Sequence, residues 1–434
     1  MNTKTGTWRA RWGSWIGGSA LLLGLLVVLL PGTGHRLDVW CWTVWAHYIH
    51  EHGLANVYEL DLNNYNPLYH YVLWAYVKLA GSAAAIEHYR HYLKAATVVF
   101  DLAGAWLVVT YAPHWRRRPY LLLALLLNPG YLYNTLVWEQ MDAIWTFFVL
   151  AAVTLALRGR LVLSGLLYVL ALNTKLQAIV FLPPLLLLWL PVAARVPRRR
   201  LVEVVLVAAL LQGLLLAPFV LGARHSPLPR ILQINFDSAG YFPYITMMAY
   251  NVWVLLMQKA ALQGTSDELI KLGLSYRHWG VLAFCGAAAL ALLPLLGLSW
   301  RRLRSRTSWQ PADMPVVLLA LALVPLVFCY FNTEMHERYW HSGVVLLAAY
   351  AVRTGRYAAY VAASLAYLLN MESVLGYAAK FDEPSMPAAY PVAVVFTLVI
   401  GYCFWQLYAA VRSAPGYFWP WRLAPAEVPG VMTR

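Results

Sequence analysis

A chain of 434 residues that is 61% hydrophobic and only 12% charged, with mean hydropathy +0.57, lies far outside the range of soluble domains and reads as a polytopic membrane protein. The net charge of +14 is accounted for by Lys and Arg gathered at cytoplasmic helix ends, so no nucleic-acid partner is implied. Cys41, Cys285, Cys329 and Cys403 are too scattered for a disulfide framework or a Cys-x-x-Cys metal site.

Lys4, Arg9 and Arg11 precede a first apolar run, and Pro31-Gly32-Thr33-Gly34 lacks a small-x-small cleavage pattern, so an uncleaved first helix is expected. A span takes roughly 20 apolar residues. Candidates follow at 15–30, 92–111, 119–137, 141–157, 161–174, 176–191, 201–221, 278–298, 313–331, 340–352, 356–372 and 390–411. Two further apolar stretches, 66–80 and 246–260, either span or lie in the interface. With the N-terminus inside and neither stretch crossing, Arg116–Arg118, Arg158/Arg160, Arg195/Arg198–Arg200, Arg301–Arg306, Arg353/Arg356 and Arg412 all fall on the cytoplasmic side. This predicts a single all-α domain over 1–434 with about 12 transmembrane helices (11–14). Both termini are then cytoplasmic. Residues 32–91 form a long first extracytoplasmic loop with interfacial helices, and 222–277 a second extracytoplasmic or re-entrant region.

This topology puts many acids on the outer side, among them Asp38, Glu51, Glu59, Asp61, Glu87, Glu139, Asp142, Asp237, Glu334, Glu337 and Asp382, and leaves Glu203, Asp313 and Glu427 near the cytoplasm. The chemistry is therefore expected at the extracytoplasmic face. Four stretches could carry it. In the first, Asp38 follows the first helix and could serve as a general base towards a sugar hydroxyl, or simply cap a helix. The residues after it suit an amphipathic helix with Trp42 and Trp45 towards lipid. His47, His50 and Glu51, at i, i+3, i+4, are a weak candidate for a divalent metal, which is possible but not required.

The second stretch is Asn134 to Asp142, where Glu139, Gln140 and Asp142 could bind substrate or complement a helix dipole. Lys175 is a candidate partner for a phosphate or for one of these acids. The third runs from Asn332 to Tyr339. His336 and His341 are five apart, so they do not stack as zinc-protease ligands do. Arg338 with His336 suits a lipid-linked phosphate, with Glu337 and Tyr339 beside them. The alternative is a structural Arg338–Glu337 or Arg338–Glu139 ion pair. The fourth, 224–253, carries Tyr241, Tyr244 and Asn251 in broken backbone of the kind that lines cavities.

Four elements together resemble the GT-C superfamily of polyprenyl-phosphate-sugar-dependent integral membrane glycosyltransferases. They are Asp38 followed by Gly53 to Tyr58, Tyr65-Asn66-Pro67-Leu68-Tyr69, Trp138-Glu139-Gln140-Met141-Asp142, and Met335-His336-Glu337-Arg338-Tyr339. Ala249-Tyr250-Asn251-Val252-Trp253 is a looser fifth. Within the superfamily the chain is similar to bacterial relatives of the mannosyltransferase that adds the second mannose in GPI-anchor synthesis. It departs at Asn66, where Pro is usual, and at Glu139, where Gly is usual.

The resemblance implies a GT-C-like bundle and an inverting transfer of a mannose-like hexose from a polyprenyl-phosphate donor. The acceptor would be a glycolipid, glycan or protein, and the setting a bacterial inner membrane. It implies Asp38 as base, His336 and Arg338 as donor-phosphate ligands, and Gln140 and Asp142 as substrate-binding or orienting residues. No Gly-rich phosphate loop or Rossmann pattern competes with it. The other readings are a transporter or flippase of a lipid-linked sugar, which predicts paired midplane charges and inverted repeats, and an oligosaccharide polymerase or ligase.

Overall fold

The computed structural model describes residues 4–236, 240, 242–257, 264–377 and 389–413; Asp237, Tyr241, Asp382 and Glu427 lie outside these. The chain is a helical bundle capped at one end by a small platform. The platform holds α2 (Arg36–His52), a 3-10 turn (Leu54–Glu59), α3 (Pro67–Ala80) and α4 (Ala83–His88). Pro67 opens α3, where a missing N–H costs nothing, and Gly81 closes it in the left-handed conformation (φ 74°) that a side chain would strain. One face of α3 is buried through Tyr69, His70, Leu73 and Val77.

The bundle comprises α1 (Lys4–Leu29), α5 (Lys94–Val109), α6 (Arg118–Leu126), α7 (Pro129–Leu136), α8 (Asp142–Leu157), α9 (Leu161–Thr174), α10 (Leu182–Ala193) and α11 (Arg198–Gly222). After two short helices, α12 (Leu228–Phe236) and α13 (Val252–Leu256), come α14 (Tyr276–Arg304), α15 (Met314–Phe331), α16 (His341–Thr354), α17 (Ala358–Leu375) and α18 (Ala389–Ser413). The innermost helices are α8, α15 and α16, buried around most of their circumference. By contrast α11 is apolar all round yet buries little against protein, as expected of a helix facing lipid. The one departure from an all-α fold among the described residues is a four-residue hairpin, Ile270–Lys271 paired with Leu274–Ser275.

Among the described residues, seven helical stretches are long and apolar enough to cross a membrane: Arg90–Val109, Leu176–Ala193, Arg198–Gly222, Tyr276–Arg304, Pro311–Phe331, Ala358–Leu375 and Ala389–Arg412. Trp15–Leu29, Asp142–Leu157 and Leu161–Thr174 are apolar but shorter. The remaining two of the spans read from sequence are not long continuous helices. α16 has only 14 residues, and 119–137 breaks into α6 and α7. Pro129 cannot continue α6, and the Asn128 side chain starts α7 by accepting from the Gly130 N–H at 2.9 Å. Position 130 also has no room for a side chain. A Cβ there would meet the Ser364 carbonyl oxygen of α17 at 2.5 Å.

The stretch 246–260, where described, is extended chain followed by the five residues of α13, with no spanning helix. One other expectation is corrected. Trp42 and Trp45 of α2 are 3% and 1% exposed, packed on Tyr65 and Tyr69 rather than turned to lipid. Asp101, in neither group of acids assigned from sequence, is buried midway along α5, where the Tyr131 hydroxyl donates to its backbone carbonyl.

The bundle has two chemically distinct ends. At one, Asp38, Glu139, Asp142, Lys175 and His336 to Arg338 come together. At the other, the C-terminal part of α14 bonds α10 through Ser299 and Leu187, Trp309 bonds Leu188, Arg353 bonds Pro311, and Arg356 bonds Gln406 of α18.

Candidate active site

Asp38 stands in the first turn of α2, where a carboxylate complements the helix N-terminus. Its Oδ2 accepts from Trp138 Nε1 at 2.8 Å and Gln140 Nε2 at 2.7 Å, and His35 Nδ1 lies 3.2 Å away. The His35 ring stacks on Trp138 at 4.8 Å, and its backbone N–H donates to the Trp138 carbonyl. None of these bonds is to Oδ1. One oxygen is therefore held by these neighbours, while the other takes no part in those bonds. Burial pushes the Asp38 carboxyl up, but the Arg338 charge and the bonds from His35 and Trp138 outweigh it and hold the group well below the usual carboxylate range.

Arg338 is set by the 3-10 turn Glu337–Trp340. Its guanidinium donates to Glu337 Oε1 at 2.9 Å, lies 6.0 Å from the Trp138 ring centroid and 5.7 Å from that of Tyr339, and leaves Nε buried without a protein partner. The same Trp138 thus donates to Asp38 and lies against Arg338, bringing the base candidate and the phosphate candidate to one place. Burial, then the neighbouring Arg338 charge, lowers the pKa of His336 and so favours its neutral form. The backbone of 335–336 is held by 247–249, with Met247 and Ala249 both donating to the Met335 carbonyl.

Arg338, His336, Lys175 and Tyr339 line a cavity of about 600 Å³. Its remaining wall is largely apolar, including Ile179, Val180, Val281, Phe284 and Phe328. Asp38 is not on that wall. It borders the cavity through Arg338 and Tyr65, each close enough to feel its charge. Lys175 donates to Asp142 Oδ1 at 2.6 Å and lies 5.2 Å from the Tyr339 ring centroid. Asp142 also accepts from Trp145 and Asn134, so it anchors Lys175 rather than facing the cavity.

Other candidates lie elsewhere. Asn251 is fully buried, its amide donating to the Cys329 and Asn332 carbonyls and its oxygen capping α13. Glu337, also buried, forms the first of the two ion pairs considered for Arg338; Glu139 faces away from it. His47 sits 3.6 Å from Glu87, and Glu51 pairs with His52, so the triad with His50 does not converge. Among the described residues no three His, Cys, Asp or Glu side chains form a metal-binding group.

Two residues not anticipated from sequence complete the site. His35 is one. The other is Lys94, 2% exposed, whose Nζ donates to the carbonyls of Leu29, Thr33 and Leu136 at 3.0, 2.5 and 2.9 Å and lies 3.6 Å from Glu139. His91 Nδ1 meets the same Glu139 oxygen at 2.9 Å. Glu139 has φ 74°, a conformation that costs a side-chain-bearing residue roughly 1–2 kcal/mol and explains why Gly is the easier choice there. Here Lys94, His91 and the bond from Trp42 Nε1 to the Glu139 carbonyl hold the turn, and Trp138 and Gln140 flank it. A lone Lys in an apolar segment was the available signal.

Replacing Lys94 with Met takes the ammonium away from a buried carboxylate, leaving it to His91, and removes the donor to three backbone carbonyls. We expect about 3–5 kcal/mol of destabilisation, read as a lower thermal midpoint in detergent. Lys94→Met/Glu139→Gly, which removes that carboxylate and relaxes the turn, should recover part of it. A Lys94→Met protein with the wild-type midpoint would show that the knot does not hold the turn.

The fold and site together define a membrane-embedded helical protein with a charged pocket that continues into an apolar one. The family model for the ALG3 protein matches residues 87–251, less than half of the chain. That family comprises GT-C-like mannosyltransferases of the endoplasmic reticulum that use dolichyl-phosphate mannose, and the similarity supports a GT-C membrane glycosyltransferase acting in glycan biosynthesis. The matched segment contains Lys94, the Trp138–Asp142 turn and Lys175. No curated protein matches the chain.

Proposed function

We propose that the protein is an inverting glycosyltransferase that moves a mannose-like hexose from a polyprenyl phosphate to an acceptor, with Asp38 as general base. The observation that carries this is the pairing of Asp38 and Arg338 across Trp138, beside a cavity with a cationic head and an apolar wall. Arg338, Lys175 and His336 suit the donor phosphate, and Ile179, Val180, Phe284 and Phe328 the first isoprene units.

The acceptor hydroxyl attacks the anomeric carbon on the face opposite the carbon–oxygen bond to phosphate. Asp38 Oδ1 takes the hydroxyl proton as that bond breaks, and Arg338 meets the charge on the departing polyprenyl phosphate. Trp138, Gln140 and His35 keep the carboxylate aimed. With two cations at the phosphate, the step asks for no metal. By the positive-inside rule the site faces the extracytoplasmic side, in keeping with the periplasmic face of a bacterial inner membrane. The acceptor class is a glycolipid, glycan or protein, and the similarity to bacterial relatives of the GPI-anchor second mannosyltransferase favours mannose as the sugar.

The test is a donor panel in proteoliposomes: polyprenyl-phosphate mannose, polyprenyl-phosphate glucose and a nucleotide-linked mannose. Labelled sugar should leave a lipid phosphate. Transfer from the nucleotide sugar alone would overturn the reading.

A further inference from the structure

A second cavity, of about 900 Å³, opens at the far ends of α14 and α15, two helices that also line the first, and is completed by α16 and α18. On α14, Val281 lines the first cavity and Leu298 the second. At about 1.5 Å per residue these positions are roughly 26 Å apart along the axis. That approaches the thickness of a bilayer core, about 30 Å. On α15, Phe328 lines the first cavity and Val316 the second, roughly 18 Å apart along the axis. The second cavity therefore sits at the opposite headgroup level.

Its lining is basic. Arg301, Arg353 and Arg356 contribute to it, against one acid, Asp313. Arg302 takes both Asp313 oxygens, Nε to Oδ2 and Nη2 to Oδ1 at 2.9 Å each, and Arg301 adds a longer contact at 3.4 Å. Arg353 instead donates to the Pro311 carbonyl at 2.7 Å, and Arg356 to the Gln406 side-chain carbonyl. Among the described residues neither has a carboxylate partner. Arg353 does complement the C-terminus of α16, but that role calls for no cavity beside it. Leu298, Val316 and Ala409 supply apolar wall.

We propose that this cavity binds the phosphate of an anionic phospholipid headgroup, with Arg353 and Arg356 as its ligands. Guanidinium groups bind phosphate oxygens in pairs, and basic pockets between membrane helices hold anionic headgroups. Free phosphate shares the chemistry. The apolar wall and the position at headgroup depth favour a lipid.

The test uses the full chain, delipidated in detergent and titrated with phosphatidylglycerol, phosphatidylcholine and inorganic phosphate, with retained ligand counted by native mass spectrometry. Wild type should retain phosphatidylglycerol and release phosphatidylcholine. Arg353→Gln/Arg356→Gln should bind phosphatidylglycerol at least tenfold more weakly. Arg356→Gln alone, measured beside it against a fold defect in the double variant, should fall between. Arg116→Gln/Arg117→Gln, exposed and off the cavity, should match wild type. Equal retention by wild type and the Arg353/Arg356 variants overturns the site. Displacement of the lipid by inorganic phosphate at a similar concentration overturns the lipid as its occupant.

Discussion

Asp38→Asn should lower sugar transfer about 10³-fold while leaving donor affinity within a few-fold of wild type, the size expected for loss of a positioned general base. The substitution is nearly isosteric. The amide oxygen can still accept from Trp138 and Gln140, which now hold Asp38 Oδ2. The amide nitrogen then takes the place of Oδ1 and cannot accept a proton. Initial rates and a donor-binding isotherm on the same preparation separate the two effects. Normal turnover by Asp38→Asn would place the base elsewhere.

The pH profile carries a second signature of this group. Because the Asp38 carboxyl is held below the usual carboxylate range in the free protein, it is ionised throughout neutral and mildly acidic pH. It is protonated, and its function lost, only as pH falls through that depressed value. A donor phosphate that engages Arg338 takes away part of the charge that keeps the pKa down. The acid limb of kcat, which reports the donor complex, should therefore lie at higher pH than that of kcat/KM, which reports the free protein.

Arg338→Ala should act chiefly on donor binding, raising KM about 100-fold. Truncating one member of a buried, hydrogen-bonded charge set costs roughly 2–5 kcal/mol. Glu337 would lose its 2.9 Å partner and Asp38 the cation that most favours its ionised form, so kcat should fall as well. Arg338→Lys keeps the charge but loses the planar contact with Trp138 and two-point phosphate binding, and should fall between. An unchanged donor isotherm for Arg338→Ala would remove Arg338 from the phosphate site.

Much of this architecture is legible in local chemistry. Pro67 and Gly81 bracket α3, arginine clusters mark ends of several long helices, and the apolar runs locate the seven described stretches that are long and apolar enough to cross. The convergence of Asp38 with Arg338 was also readable, because each lies just beyond an apolar run on one side of the bundle. What eluded sequence reasoning depended on long-range packing. Nothing in the spacing of Trp42 and Trp45 distinguishes a lipid-facing aromatic from one packed on Tyr65 and Tyr69. The break at Asn128-Pro129 was present as turn chemistry but lay inside an apolar stretch of spanning length. Glu139 read as a substrate ligand or a helix-dipole acid because it stands three residues before Asp142, with Gln140 between them. Only the fold shows that its partner is Lys94, at the start of a helix far away in sequence. Asn251 likewise read as a ligand, and its bonds to Cys329 and Asn332 show a structural side chain.

The central claim is a single displacement at the anomeric carbon, with Asp38 on one side and the lipid phosphate on the other. It is tested most directly by the anomeric configuration of the product, read by NMR after transfer from a polyprenyl-phosphate hexose of known configuration. The account predicts inversion, with one polyprenyl phosphate released per sugar transferred. Retention of configuration would require a second nucleophile at the reacting carbon and would contradict it.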